Sequence, residues 1–201
     1  MKHVFIKGSN PTKPTFLLLH GTGGNEHDLL PIGSMIDDEA SILSVRGNVS
    51  ENGMPRFFKR LAEGVFDMED LVFRTKELKE FIETASTEHG FDAKNVIAIG
   101  YSNGANIAGS LLFHYEDVFK GAMLLHPMVP IRDLDLPNMK DVSVFIGAGK
   151  NDPICLPQET EELASLLVGA GAEVVTHWEN NGHSLTRSEI EAATDWYKNN
   201  F

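Results

Sequence analysis

Ser102 sits in Gly100-Tyr101-Ser102-Asn103-Gly104, a G-x-S-x-G segment between an apolar run, Val96 to Ile99, and a small-residue helical pattern that starts Ala105-Asn106-Ile107-Ala108. A strand that turns sharply into a helix pushes the central side chain into solvent, and it needs residues without Cβ two positions to either side. The helix amino terminus then presents N–H groups where an oxyanion would form. These features mark Ser102 as a candidate nucleophile for acyl transfer. A serine hydroxyl needs a base to take its proton, and the base needs an orienting carboxylate. On elbows of this kind the partners follow in the order Ser, Asp or Glu, His. Asp152 fits the second place, after the run Val142 to Ile146 and the turn Gly147-Ala148-Gly149-Lys150-Asn151. His183 fits the third, in the loop Asn180-Asn181-Gly182-His183-Ser184. Asp133, Asp135 and Asp141 precede their strand and stand at its wrong end. His177 falls inside a strand pattern. His126 stands at a strand end and could line the site, but it breaks the order.

Two amides should face the oxyanion. One is expected from Asn103, the other from Thr22 in His20-Gly21-Thr22-Gly23-Gly24, a turn that lacks both G-x-G-x-x-G and the G-K-[ST] ending of a phosphate loop. His20 reads as a pin for that turn rather than a base. Cys155, the only cysteine, reads as a buried thiol near the site and permits no intramolecular disulfide. No His, Cys and carboxylate grouping has metal-ligand spacing, so neither metal nor other cofactor is expected.

These residues need a scaffold that brings strand ends together. Continuous apolar runs occur at Thr15–Leu19, Ser41–Val45, Val96–Gly100, Gly121–Leu125, Val142–Ile146 and Glu173–Trp178, with Val4–Ile6 as a short edge strand. Strands apolar on both faces belong in a parallel sheet covered on both sides. Helical patterns fill the intervals. Asp70 to Glu88 places Leu71, Leu78, Ile82 and Ala85 on one face, and Gln158–Val168 and Ser188–Tyr197 read alike. The alternation predicts an α/β domain over 1–201 with a mostly parallel sheet of about six or seven strands. Arg46 to Asp67 breaks the pattern. It reads as an irregular excursion with one short helix, and its Phe57, Phe58 and Phe66 either wall a pocket or pack the loop down.

Composition narrows the partners. Seventeen basic against 29 acidic residues give a net charge of -12, which disfavours nucleic acid and anionic membranes. No run approaches the length of a membrane span, and the amino terminus is too short and broken for a signal peptide, so a soluble cytoplasmic protein is expected. A small-molecule ester is the expected partner, and a homodimer is left open.

With those residues in place, the chain resembles the small cap-less carboxylesterases of the α/β-hydrolase superfamily, including the phospholipase/carboxylesterase and acyl-protein thioesterase branch, with dienelactone hydrolases as relatives. The segments that carry the resemblance are LLLHGTGGN at 17–25, SVRGNVSENGMPRFFKRLAEG at 44–64, IGYSNGANIA at 99–108, AGKNDPICLPQE at 148–159 and ENNGHSLT at 179–186. The second is similar to the bacterial MhqD-type hydrolases, which are associated with quinone stress. The resemblance implies an α/β-hydrolase fold without a cap domain, the triad Ser102, Asp152 and His183, and oxyanion amides from Thr22 and Asn103. It also implies a substrate pocket that draws on Gly21, Arg46, Phe57 and Phe58. Dienelactone hydrolases use a cysteine nucleophile, so Ser102 argues against lactone-ring specialisation. The expected activity is hydrolysis of small, short-acyl or aromatic carboxylic esters. The alternatives are a thioesterase or lysophospholipase-like acyl hydrolase, or a non-hydrolytic binder of quinone-like aromatics.

Overall fold

The computed structural model describes residues 1–201. Along the chain run β1 (His3–Ile6), β2 (Thr15–Leu19), α1 (Leu30–Ile36) and β3 (Ile42–Val45). Two hairpins follow, β4 (Val49–Glu51) with β5 (Met54–Arg56) and β6 (Arg60–Ala62) with β7 (Val65–Phe66). Then come α2 (Met68–His89), β8 (Val96–Tyr101), α3 (Asn103–His114) and β9 (Gly121–Leu125). The chain ends with β10 (Ser143–Gly149), α4 (Pro157–Gly169), β11 (Glu173–Glu179) and α5 (Arg187–Asn200).

Seven strands form one sheet in the order β1-β3-β2-β8-β9-β10-β11, parallel except for β1, which runs antiparallel on β3. The period-two alternation sorts each strand between two cores. Leu17, Leu19, Ala98 and Leu124 meet the buried faces of α2, α3 and α4, including Leu78, Ile82, Leu111 and Leu163. Phe16, Leu18, Ile99 and Met123 meet α1 and α5 through Ile36, Ile190, Ala193 and Trp196. Each fully buried Leu or Ile contributes about 1.5–3 kcal/mol of transfer free energy, so burial on both faces explains why these strands read as unbroken apolar runs. Helices thus cover both faces of a mostly parallel sheet in an α/β-hydrolase arrangement, and no cap is present.

Three expectations change. Arg46 to Asp67 contains no helix. Its Asn52-Gly53 pair takes positive φ at both residues (51° and 82°) and closes the first hairpin. The run Val142–Ile146 extends to Gly149 because Ala148 and Gly149 pair with Trp178 and Glu179. A short helix, α1, lies where no periodicity was visible. No helix is long and apolar enough to cross a membrane.

Candidate active site

Parallel strands deliver their carboxyl ends to one edge of the sheet, and the candidate residues follow those ends: Thr22 after β2, Ser102 after β8, Asp152 after β10 and His183 after β11. Ser102 caps α3 with φ 51° and ψ −113°, a backbone region that non-glycine residues seldom occupy. Its amide is held by the Leu125 carbonyl at 2.9 Å. A Cβ on Gly104 would stand 1.9 Å from the Leu19 carbonyl oxygen, and one on Gly100 would stand 2.5 Å from the Gly104 carbonyl oxygen. The elbow therefore depends on bare backbone at both positions.

Ser102 Oγ lies 2.8 Å from His183 Nε2, and His183 Nδ1 lies 2.7 Å from Asp152 Oδ2. A carboxylate only accepts, so His183 Nδ1 carries the proton and Nε2 is free to accept from the serine hydroxyl. Asp152 Oδ1 accepts from the amides of Ile154 (2.8 Å) and Cys155 (3.0 Å). Burial alone would raise the Asp152 pKa. The Cys155 and Ile154 amides and the two imidazoles at its other oxygen outweigh burial and hold it below the usual carboxylate range. The Tyr101 hydroxyl donates to the His183 carbonyl at 2.5 Å and ties the histidine loop to the residue before Ser102. The arrangement can move a proton from Ser102 Oγ to an imidazole whose tautomer and orientation are set from behind.

No backbone carbonyl accepts from the amide of Thr22 or Asn103. Both stand at the cleft wall with Ser102 and His183. The Asn103 side chain accepts from the Phe57 amide at 2.7 Å. Thr22 Oγ1 accepts from the buried guanidinium of Arg56 at 2.5 Å. His20 is buried, takes the Gly47 amide on Nε2 at 3.0 Å and gives its Nδ1 proton to the Gly21 carbonyl at 2.6 Å. Burial lowers its pKa, so it is a neutral pin between the turn and the first hairpin segment.

The cleft has a volume of about 350 Å³. Met54, Phe66, Met128 and Ile154 supply its apolar wall, and Arg56, Arg60 and Glu63 its charged one. Gly21, Arg46, Phe57 and Phe58 do not line it. Gly21 packs on the Tyr101 ring, which a Cβ would approach to 2.8 Å. Arg46 is drawn off by the buried Glu26 carboxylate, which also meets Lys2 at 3.1 Å. Phe57 packs on His20, and Phe58 packs edge-on against Phe66 at 5.0 Å. Of the three aromatics in this segment, only Phe66 reaches the cleft. Cys155 borders it, but burial pushes its thiol pKa up and its Sγ is occupied with the His126 carbonyl at 3.1 Å.

Arg56, Tyr101 and His126 are functional candidates that sequence reasoning missed or set aside. His126 is fully buried behind Asp152, with Nδ1 2.9 Å from Oδ2. His126, Asp152 and His183 are close enough to ligate one ion, but both Nδ1 atoms direct protons at the shared carboxylate. A second group, His3, Glu88 and His89, joins β1 to the end of α2, with the two Nε2 atoms 3.0 Å apart in an imidazole–imidazole hydrogen bond.

Comparison with known proteins places this chain among hydrolases. A model of the dienelactone hydrolase family matches residues 56–199. The putative hydrolase MhqD of Bacillus subtilis (strain 168) is 60% identical over 198 residues, which is 98% of both chains. The crystal structure of a Bacillus cereus carboxylesterase superposes with a TM-score of 0.99 at 64% identity, covering 100% of this chain and 95% of that one. An acyl-protein thioesterase 1 of Cryptococcus neoformans is 26% identical over 174 residues, 77% of this chain and 72% of the relative.

Proposed function

Since the chain belongs to the dienelactone hydrolase family, we propose that it is a serine carboxylesterase acting on small carboxylic esters by a two-step acyl transfer. The observation that carries this reading is the unbroken chain of contacts from Ser102 Oγ through His183 to Asp152. His183 takes the serine proton as Oγ attacks the ester carbonyl. The Thr22 and Asn103 amides receive the oxyanion, each free of any backbone acceptor. The same histidine then protonates the leaving alcohol and activates the water that releases the acid. Asp152 stabilises the imidazolium formed on the way. A serine at position 102 and a cleft of about 350 Å³ favour small open-chain esters over a dienelactone ring.

The test is hydrolysis of p-nitrophenyl esters of increasing acyl length by the parent and by Ser102→Ala. The expected result is activity on short acyl groups that falls by at least about 10³-fold in the variant. An active Ser102→Ala, or a parent inactive at every length, overturns the proposal. One observation favours a thioester or longer-chain reading. Leu61 and Val65 are exposed on the hairpin whose Gly64 and Phe66 wall the cleft, giving an apolar shelf beyond it. A rate that rises with acyl length would support that reading.

A further inference from the structure

Behind Asp152 lies a buried group of charges that the reaction scheme leaves unused. Asp152 Oδ2 accepts two imidazole protons, one from His183 at the cleft and one from His126, which has no exposure at all. His126 follows β9 with φ 53°, a left-handed conformation that costs a histidine energy and persists only where its surroundings enforce it. Its amide is fixed on the Gly147 carbonyl at 2.7 Å and its carbonyl receives the Cys155 thiol. On its far side, Nε2 faces Glu189 Oε1 at 3.5 Å, and both side chains are fully buried. Neither of these two atoms has a hydrogen-bonding partner, and their separation is that of an ion pair. Room for the carboxylate exists because residue 147 is glycine, where a Cβ would stand 2.0 Å from Glu189 Oε1. Glu189 also closes the capping box of α5 with Thr186, so its charge sits in the first turn of a helix, where the dipole favours it.

We propose that His126 and Glu189 are positioning residues for the ester hydrolysis, a buried imidazolium–carboxylate couple that braces Asp152 from behind and moderates its pull on His183. The inference rests on the Ser102–His183–Asp152 reading. Its logic is donor counting. Two carboxylates flank one imidazole, and each accepts only, so His126 serves both when both nitrogens carry protons. Burial by itself would drive that proton off. The Glu189 and Asp152 carboxylates outweigh burial and raise the pKa of His126 above its ordinary value. The other groups around His126 are the His183 ring at 5.2 Å, the Tyr101 ring at 6.0 Å and the Cys155 thiol. Tyr101 and Cys155 both have raised pKa values, so neither supplies a competing charge near neutrality. A second cation this close to His183 opposes its protonation. The couple therefore sets a cation on the side of Asp152 away from the cleft.

The experiment combines pH–rate profiles with 15N NMR of histidine-labelled protein, for the parent, His126→Asn, His126→Leu, Glu189→Gln and Ser102→Ala. Asparagine tolerates the left-handed backbone and keeps a donor toward Asp152, but it carries no charge. In His126→Asn the acid limb of kcat/KM should move up by about one pH unit, from the Coulomb effect of a lost cation at this distance. Its plateau kcat should fall less than tenfold, whereas His126→Leu, which removes the donor, should lose roughly 10–100-fold, by analogy with outer-shell partners of metal-bound histidines. Glu189→Gln preserves the capping box and provides the readout should His126→Asn fail to fold. In the parent, the His126 ring should be doubly protonated at pH 7. In Glu189→Gln, its titration should shift to lower pH. A neutral His126 at pH 7 in the parent, or a His126→Asn enzyme with an unmoved acid limb, overturns the proposal. Spectra of Ser102→Ala separate the two failures. Full activity in that variant sinks the functional reading whatever His126 does, while an inactive variant with a neutral His126 sinks the couple alone.

Discussion

Replacing Asp152 with asparagine tests the site with almost no change of shape. Four donors converge on this carboxylate, the Ile154 and Cys155 amides on Oδ1 and the His183 and His126 Nδ1 atoms on Oδ2. The asparagine must present its carbonyl to one pair and its NH2 to the other. Facing the NH2 toward the two backbone amides would leave each without an acceptor in a buried place, at about 1–3 kcal/mol apiece. The carbonyl therefore stays with the amides and the NH2 turns to the histidines. His183 then has to accept at Nδ1, its proton moves to Nε2, and Nε2 can no longer take the proton of Ser102. A wrong-tautomer histidine in a triad costs about 10⁴-fold in kcat, equivalent to about 5 kcal/mol of barrier. Asp152 does not line the cleft, so KM should stay within a fewfold of the parent. The assay is steady-state hydrolysis of p-nitrophenyl acetate, with a thermal melt to establish folding. A folded Asp152→Asn enzyme with kcat within tenfold of the parent would refute the argument, because His183 would then be setting its own tautomer.

Three other outcomes follow from the same geometry. Gly104→Ala places a methyl group against the Leu19 backbone, which cannot swing aside, so it should destabilise by about 1–3 kcal/mol or more and misplace the Asn103 amide. Calorimetry and kcat measured together check this, and a fully active, equally stable variant counts against it. Arg56→Met removes the donor on Thr22 Oγ1 and should lower kcat by up to roughly 10²-fold through a loosened oxyanion turn, whereas an effect confined to KM would make Arg56 a substrate contact only. Glu26 is buried, and although burial opposes its ionisation, its own backbone amide, Arg46 and Lys2 hold its pKa down at about 2. A depressed folded-state pKa means that the unfolded chain binds the proton first. This contribution to stability is therefore complete above the ordinary carboxylate value and disappears as pH falls through about 2. Chemical denaturation of parent and Glu26→Gln across that window should show the two stability curves converging toward low pH, and parallel curves would refute it.

The sheet was readable because burial on both faces leaves unbroken apolar runs, and the elbow because two glycines flank a serine at a strand-to-helix switch. The hairpins between Arg46 and Asp67 were not. Strands of two or three residues hold too little of a period-two pattern, although the Asn52-Gly53 turn signal was present. The seven residues of α1 include Pro31 and Gly33 and span too few turns to show a stripe. Phe57 and Phe58 have the composition of a pocket wall, but a sequence does not say which side of a loop its aromatics face. Both turn inward, while their less conspicuous neighbours Met54, Arg56 and Arg60 reach the cleft. Arg46 is claimed by Glu26, a pairing across the fold that no local pattern encodes. For the same reason Glu189, three residues into a helix, reads as a solvent-facing charge, and His126 is set aside on chain order alone.

The segment that walls the cleft leaves the sheet after β3 and ends at α2, and both of its ends are clamped. His20 holds Gly47 at one end; at the other, Asp67 caps α2 while Asp70 takes the Lys59 amide. Residues between these clamps behave as a cassette, a stretch that could be exchanged with that of another hydrolase while every strand of the sheet stays in register. The cassette is not indifferent to the chemistry, however. Arg56 grips the Thr22 hydroxyl and the Phe57 amide grips the Asn103 side chain, so the loop that walls the cleft also braces both residues proposed to receive the oxyanion. A graft that changes substrate range must therefore carry its own equivalents of these two contacts, and selectivity and turnover in this scaffold will be inherited together.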